Sequence, residues 1–151
     1  MKNSELIVSF RKKLIDIESA LMEKVDGVNI VAEQDSHLFP LKHTFGDSTY
    51  ARQMSMHRDS WCIGKIHKQD HILFLLKGKI TVVTDGEIVD HEAPCYTTAK
   101  SGAKRLIYAH EDSIFVTIHK NPDNIKNISD LEDYIVTDTY EKYEEYINKN
   151  K

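Results

Sequence analysis

The chain has 151 residues, 40% of them hydrophobic and 29% charged, with a formal net charge of -4. That length suits one domain with a substantial core, and the acidic balance argues against binding a nucleic-acid polymer through the whole surface. No apolar run reaches the roughly 18 residues of a membrane helix, and Met1-Lys2-Asn3-Ser4-Glu5 lacks the apolar stretch of a signal peptide, so a cytoplasmic setting is expected.

The first predicted element is a helix. Ile7, Phe10, Leu14, Ile17 and Leu21 repeat at steps of three and four, which puts them on one stripe. Ser4 or Asn3 is placed to cap it and Gly27 to stop it. The stripe is too short for a coiled coil, so the helix is expected to lie on its own domain rather than against a second subunit.

Strands follow. Residues 28–32, 50–56, 60–67, 71–76, 79–84, 87–90, 95–98, 104–109 and 113–119 are short, apolar and often β-branched. Lys77-Gly78, Asp85-Gly86, Ser101-Gly102 and Glu111-Asp112 punctuate them at turn positions. Many short strands without intervening helices predict an antiparallel barrel or sandwich. The tail returns to helix. Ser129-Asp130-Leu131-Glu132 fits a capping box, and Tyr140, Tyr143 and Ile147 share one face of a helix over 139–149. The expected organisation is one domain: an N-terminal helix at 1–27, a barrel at 28–121 and a helical tail at 122–151. Cys62 and Cys95 both sit in apolar strand segments and read as reduced core thiols.

The chemistry gathers at strand ends. Lys65-Ile66-His67-Lys68-Gln69-Asp70-His71 sets two imidazoles four residues apart at the lip of an apolar run that closes on Gly78. Gly102-Ala103-Lys104-Arg105 opens a later strand. Alternate residues of a strand share a face. Lys65 therefore points with His67, His71 with Leu73 and Leu75, and Arg105 with Ile107 and Ala109. If these faces are inner, the barrel holds a pocket with an apolar floor and a basic mouth.

These residues resemble the motifs of the cupin superfamily, small double-stranded β-helix barrels. The first cupin motif carries two histidines, a glutamate and a closing glycine. Aligned on Gly78, Lys65 falls at the first histidine, His67 at the second and His71 at the glutamate. The second motif opens on a glycine. Aligned on Gly102, Arg105 falls at the last metal-binding histidine, with Lys100 and Ala109 at the family's proline and asparagine. The likeness spans roughly residues 45 to 120, and the short helix before a compact barrel resembles small cupins of tailed phages. The resemblance implies a mainly β, cupin-like barrel flanked by an N-terminal amphipathic helix and a C-terminal helix, and a homo-oligomer, since an open edge strand needs cover.

Lys65, His67, His71 and Arg105 replace the family's three histidines and glutamate, and arginine is not a usable metal ligand. The favoured expectation is a metal-free cationic cup for an anionic small molecule. Arg105 would grip a phosphate or carboxylate through paired hydrogen bonds, with Tyr108 among the aromatic residues that could stack on the ligand. Tyr50, Trp61 and Phe74 are the others. A nucleotide held without turnover, in a phage setting a host signalling nucleotide, is the leading form. The alternative is a cupin enzyme using His67 and His71, either a sugar-phosphate or sugar-nucleotide isomerase or epimerase, or a metal-dependent dioxygenase. A metal, if one binds, would take His67, His71 and a third donor, for which His119 stands first, ahead of His110 and His57. A scaffold role, with the barrel as a building block, is the third reading.

Overall fold

The computed structural model describes residues 2–24 and 39–151. The side chain of Leu21, the stop at Gly27 and the strand expected at 28–32 lie outside the described residues. Within the described residues, helix α1 (Lys2–Lys24) is accompanied by eleven strands and two further helices. The strands are β1 (Leu41–Gly46), β2 (Thr49–Met56), β3 (Trp61–Ile63), β4 (Ile66–His67), β5 (His71–Lys77), β6 (Lys79–Thr84), β7 (Glu87–Glu92), β8 (Cys95–Ala99), β9 (Leu106–Ala109), β10 (Ser113–Lys120) and β11 (Val136–Thr137). The helices are α2 (Ile128–Ile135) and α3 (Tyr140–Lys149).

All strand pairings are antiparallel. One sheet runs β1-β2-β10-β5-β8, a second runs β3-β9-β6-β7, and β4 pairs with β11. Alternation fixes the inner faces. In β5, His71, Leu73 and Leu75 are buried while Ile72 and Leu76 are exposed. In β10, Ser113, Phe115, Thr117 and His119 form the buried set. A one-residue slip would turn either set outward, so this pattern also pins the register. The inner faces meet in a core of Met56, Leu75, Ile80, Ile107, Ala109 and Phe115, with Phe39 and Cys62. Leu75, Ile80 and Ala109 are fully enclosed. Both cysteines are free, Cys62 inside this core and Cys95 packed against it. The mainly β, antiparallel architecture with flanking helices matches the barrel expected from sequence.

Several boundaries differ from the sequence reading. The strand expected over 60–67 breaks into β3 and β4 around Gly64, whose N–H donates to Arg105 O at 2.9 Å. The polar segment Leu41–Gly46 is a strand after all, paired along its whole length with β2. The tail is not purely helical either: β11 pairs Val136 with His67 and Thr137 with Ile66. Helix α2 starts earlier than the capping box suggested. Its N-cap is Asn127, whose Oδ1 accepts from Asp130 N–H at 3.1 Å. Thr139 caps α3 in the same way. Leu131, Ile135, Val136 and Tyr50 form a second cluster that fastens the tail to the sheet.

Helix α1 lies on the body of its own domain. Leu14 is buried, and Arg11 makes two 2.8 Å hydrogen bonds to the Asp85 carboxylate. Its guanidinium also sits 4.3 Å from the Tyr140 ring centre. Glu18 pairs with Lys104, whose side chain is almost wholly covered. The two glycines that anchor the motif comparison are both required by shape. Gly78 (φ +86°) abuts Ser113, and Gly102 (φ +83°) lies so close to Tyr143 that a Cβ would sit 2.8 Å from its ring. No described helix is long and apolar enough to cross a membrane.

Candidate functional site

Three histidines meet at one end of the barrel interior. His71 begins β5 and His119 nears the end of β10, on the shared inner face of the five-stranded sheet. His67 ends β4, held in place by the β11 pairing and by Gly102 N–H, which donates to His67 O at 3.0 Å. The ring centres lie 4.0 Å (His67–His71), 4.8 Å (His71–His119) and 5.3 Å (His67–His119) apart. One nitrogen from each ring falls within 4.8 Å of the other two.

Two of the three, His67 and His71, line a cavity of about 80 Å³, and His119 stands behind them. Arg52, Lys65, His67, His71 and Arg105 line it on the polar side, with Met54, Leu73, Ile107 and Phe115 among the apolar neighbours. No carboxylate lines it among the described residues. The structure thus brings together four of the residues picked from sequence: Lys65, His67, His71 and Arg105. Lys65 arrives already matched, since its ammonium lies 3.6 Å from Asp138 and 3.8 Å from Glu132 on the helical tail. The arginines carry the cationic character of the chamber.

Tyr108 does not join them. Ile107 and Ala109 face inward in β9, so alternation turns Tyr108 out, where its hydroxyl donates to Asp59 at 2.8 Å. Trp61 pairs across from Tyr108 in the same sheet, and Phe74 sits beside Tyr96 on the outer face of β5. Of the four aromatic candidates only Tyr50 approaches the histidines, 5.9 Å from His119 between ring centres. Its hydroxyl bonds His43 Nδ1 at 2.7 Å, and burial pushes its pKa up to about 12. His57 is exposed beside Asp112, and His110 bonds Thr81, so neither reaches the cluster.

Burial sets the charge state of the three rings. His71 is pushed down to about 4 by desolvation and then by Arg105. His119 is pushed down to about 3 by desolvation, then by His71 and Arg52. His67 is held well below its ordinary value, first by desolvation and then by the other two rings. All three are therefore neutral at pH 7, the form that offers a lone pair to a cation. The same desolvation lowers the Arg105 pKa, although a guanidinium stays charged at neutral pH.

Several contacts orient this set. His119 Nε2 shares a 2.9 Å hydrogen bond with Thr117 Oγ1. Arg105 donates to Ala103 O and Lys100 O, which ties its guanidinium to the Gly102 loop. Asp70, its pKa lowered to about 2 chiefly by Lys100, clamps that loop by accepting from Lys100 Nζ and Ser101 N–H. Among the described residues, three buried side-chain polar atoms have no protein hydrogen-bond partner: Arg52 Nε, His67 Nδ1 and His71 Nδ1. Buried polar atoms rarely remain orphaned, because each costs its desolvation free energy. Orphans clustered in one cavity mark where a ligand would satisfy them.

The residues fit a divalent transition metal. Imidazoles suit zinc, copper, iron and nickel, and three neutral nitrogens this close together could hold such an ion. In a tetrahedral site bonds of about 2.1 Å set the nitrogens about 3.4 Å apart, so nitrogens now within 4.8 Å of one another need to close by up to about 1.4 Å. Sequence reasoning named this trio conditionally but missed Arg52. Its signal was present: Arg52 interrupts the apolar alternation of Tyr50, Met54 and Met56 on the inner face of β2.

No family model and no curated protein sequence matches the chain. Solved structures do. The chain is similar to KdgF from Halomonas sp., at 15% identity over 59% of this chain and 85% of that one, with a TM-score of 0.51. It is similar to a cupin superfamily protein from Desulfitobacterium hafniense at 11% identity, covering 59% and 83%, with a TM-score of 0.50. A cupin 2 domain-containing protein from Halorhodospira halophila aligns at 14% identity over 60% and 68%, also with a TM-score of 0.50. At these identities the likeness is one of fold.

Proposed function

Starting from a cupin-fold barrel with a histidine cluster inside, we propose that the chain binds a divalent transition metal on His67, His71 and His119 and holds a small anionic molecule beside it with Arg105 and Arg52. The observation that carries this reading is the set of orphaned nitrogens, His67 Nδ1, His71 Nδ1 and Arg52 Nε, around one carboxylate-free chamber. A bound metal would supply a Lewis acid with an open coordination position. The chain supplies the rest. The three rings are neutral before anything binds, so no proton must be displaced from them at pH 7. Thr117 holds His119 by its Nε2, the kind of outer contact that fixes a ligand's tautomer. Arg105, braced on two backbone carbonyls, keeps further N–H groups for an anion.

Charge balance favours an anionic partner. Three neutral ligands leave a divalent ion with its full charge, and two arginines stand nearby without a facing carboxylate. A carboxylate or phosphate group neutralises this excess where water cannot do so as well. The reading shares its anionic ligand and its use of His67 and His71 with the two functions expected from sequence. It makes the metal, rather than lysine and histidine charge, the centre of the pocket.

A metal-free anion binder is the second reading, favoured by Arg52 Nε. The signalling-nucleotide form belongs here, with the phosphate at Arg105 and the base outside, because about 80 Å³ admits one oxyanion group rather than a whole nucleotide. Native mass spectrometry of protein purified without a histidine tag separates the two. About one zinc, iron, manganese, nickel or copper per chain is expected, lost in His119→Leu. A metal at about 100 times its dissociation constant should add about 2.7 kcal/mol of stability. A metal-free spectrum, together with no thermal stabilisation by any of these ions, overturns the metal reading. Stabilisation by a nucleotide in chelator would then support the second.

A further inference from the structure

Arg105 stands between two spaces. On one side is the histidine chamber. On the other is an outer groove of about 400 Å³ beneath α1, bounded by β6, β7 and β8. Leu73, Ala99 and Arg105 line both. The groove and the chamber therefore share a wall on the α1 side, and the arginine is part of it. Ile7 of α1 roofs it, with Val82, Val89 and Ala103 on its walls. A space of this size falls in the range that encloses most of a small organic molecule.

The charges restrict what enters. Lys100 lines the groove but is engaged by Asp70 at 2.7 Å. Asp85 is engaged by Arg11, and Glu87 adds a carboxylate to the wall. Arg105 is thus the cation left for a ligand, and it lies on the wall shared with the chamber. A polyanion would bring more negative charge than Arg105 matches, against the unneutralised wall carboxylate of Glu87. A single negative head on an apolar body meets Arg105 with the head and Ile7, Val82 and Val89 with the body.

We propose that the groove beneath α1 is the binding site for the body of the ligand, and that the ligand class is an amphipathic monoanion, a monocarboxylate with an aliphatic or aromatic body. Its carboxylate pairs with Arg105 and faces the histidines. This rests on the reading of Arg105 as the anion-holding residue. It separates the roles of the two spaces: the groove selects the body, and Arg105 places the head.

Octanoate is the probe, titrated calorimetrically into the full chain with and without chelator, with octan-1-ol, acetate and inorganic phosphate as comparisons. Octanoate is expected to bind at least about tenfold more tightly than each of the three, the gain over octanol coming from the charged pair and that over acetate from the buried chain. Arg105→Gln should remove the preference over octanol. Val89→Trp, at a partly exposed strand position where folding is not at stake, should weaken octanoate at least about tenfold and leave acetate unchanged. Equal binding of octanol and octanoate, or an octanoate affinity indifferent to both substitutions, overturns the proposal. The metal content of the same samples is measured in parallel. Metal without octanoate binding sinks only this inference, and octanoate binding without metal sinks only the metal centre.

Discussion

The two ends of the barrel interior are built from the same strands and obey opposite rules. At one end, Leu75, Ile80 and Ala109 are fully enclosed and pack against Met56 and Phe115. At the other, further along the same inner faces, His71 and Arg52 line a cavity and His119 stands beside His71. The apolar end stabilises the fold by removing hydrocarbon from water. The polar end opposes folding: it desolvates three imidazoles and leaves three polar atoms without partners. A sequence that keeps such a cluster inside a barrel otherwise filled with Leu, Ile and Phe is trading stability for a site.

The comparison can be broken first at the apolar end. Leu75→Ala removes a fully buried side chain and should cost about 2–5 kcal/mol in urea unfolding. A loss under about 1 kcal/mol would show that the end is loosely packed and that the contrast is false.

Acid should act on the polar end. The folded-state pKa values of His71 and His119 lie near 4 and 3, below the ordinary 6.5. Above pH 6.5 both folded and unfolded chains are unprotonated there, and proton binding takes nothing from stability. Between 6.5 and about 4 the unfolded chain binds protons that the folded one refuses, so stability falls with falling pH. For metal-stripped protein the loss should be on the order of 3 kcal/mol for each of the two rings by pH 4. A double variant, His71→Leu with His119→Leu, should flatten that slope. An unchanged slope assigns the acid sensitivity elsewhere.

The cover over the polar end gives a smaller effect. Lys104 is nearly enclosed and faces Glu18 of α1. Glu18→Gln leaves the ammonium buried without its counter-charge and should cost about 1–3 kcal/mol, seen first as faster amide exchange within α1. Exchange that stays slow would mean that Arg11 and Leu14 hold the helix alone. The smallest effect is expected from His119→Leu in metal-free protein. Replacing a desolvated imidazole by hydrocarbon should change stability by less than about 1 kcal/mol, or raise it, while metal uptake disappears. A large loss of stability would recast the cluster as structural.

Part of this site was legible from spacing. The register on Gly78 and Gly102 put His67, His71 and Arg105 together, and strand alternation put His71 on the face of Leu73 and Leu75. The same alternation, applied strictly, places Tyr108 outside, because Ile107 and Ala109 claim the interior. Strand β1 was missed because Lys42, His43 and Thr44 give it little hydrophobic pattern. It is a strand because β2 offers it a ladder of backbone partners. Arg52 and His119 sit 67 residues apart in the chain. Their strands are neighbours, however, with Tyr50 across from His119 and Arg52 across from Thr117.

What the sequence determined by itself is what depends on local period: strand faces, turn glycines, the helical stripe of α1 and the helix over α3. These follow from side-chain direction along a single element, which neighbouring residues dictate. What only the tertiary structure decided depends on which elements meet. It made His119 the third member of the cluster. It set Asp138 and Glu132 against Lys65, so that a lysine read as a free cation is already matched. It also placed Arg105 on the wall between a chamber and a groove. Electrostatic fate and cavity shape are sums over residues distant in sequence, and only folding brings their terms within range of one another.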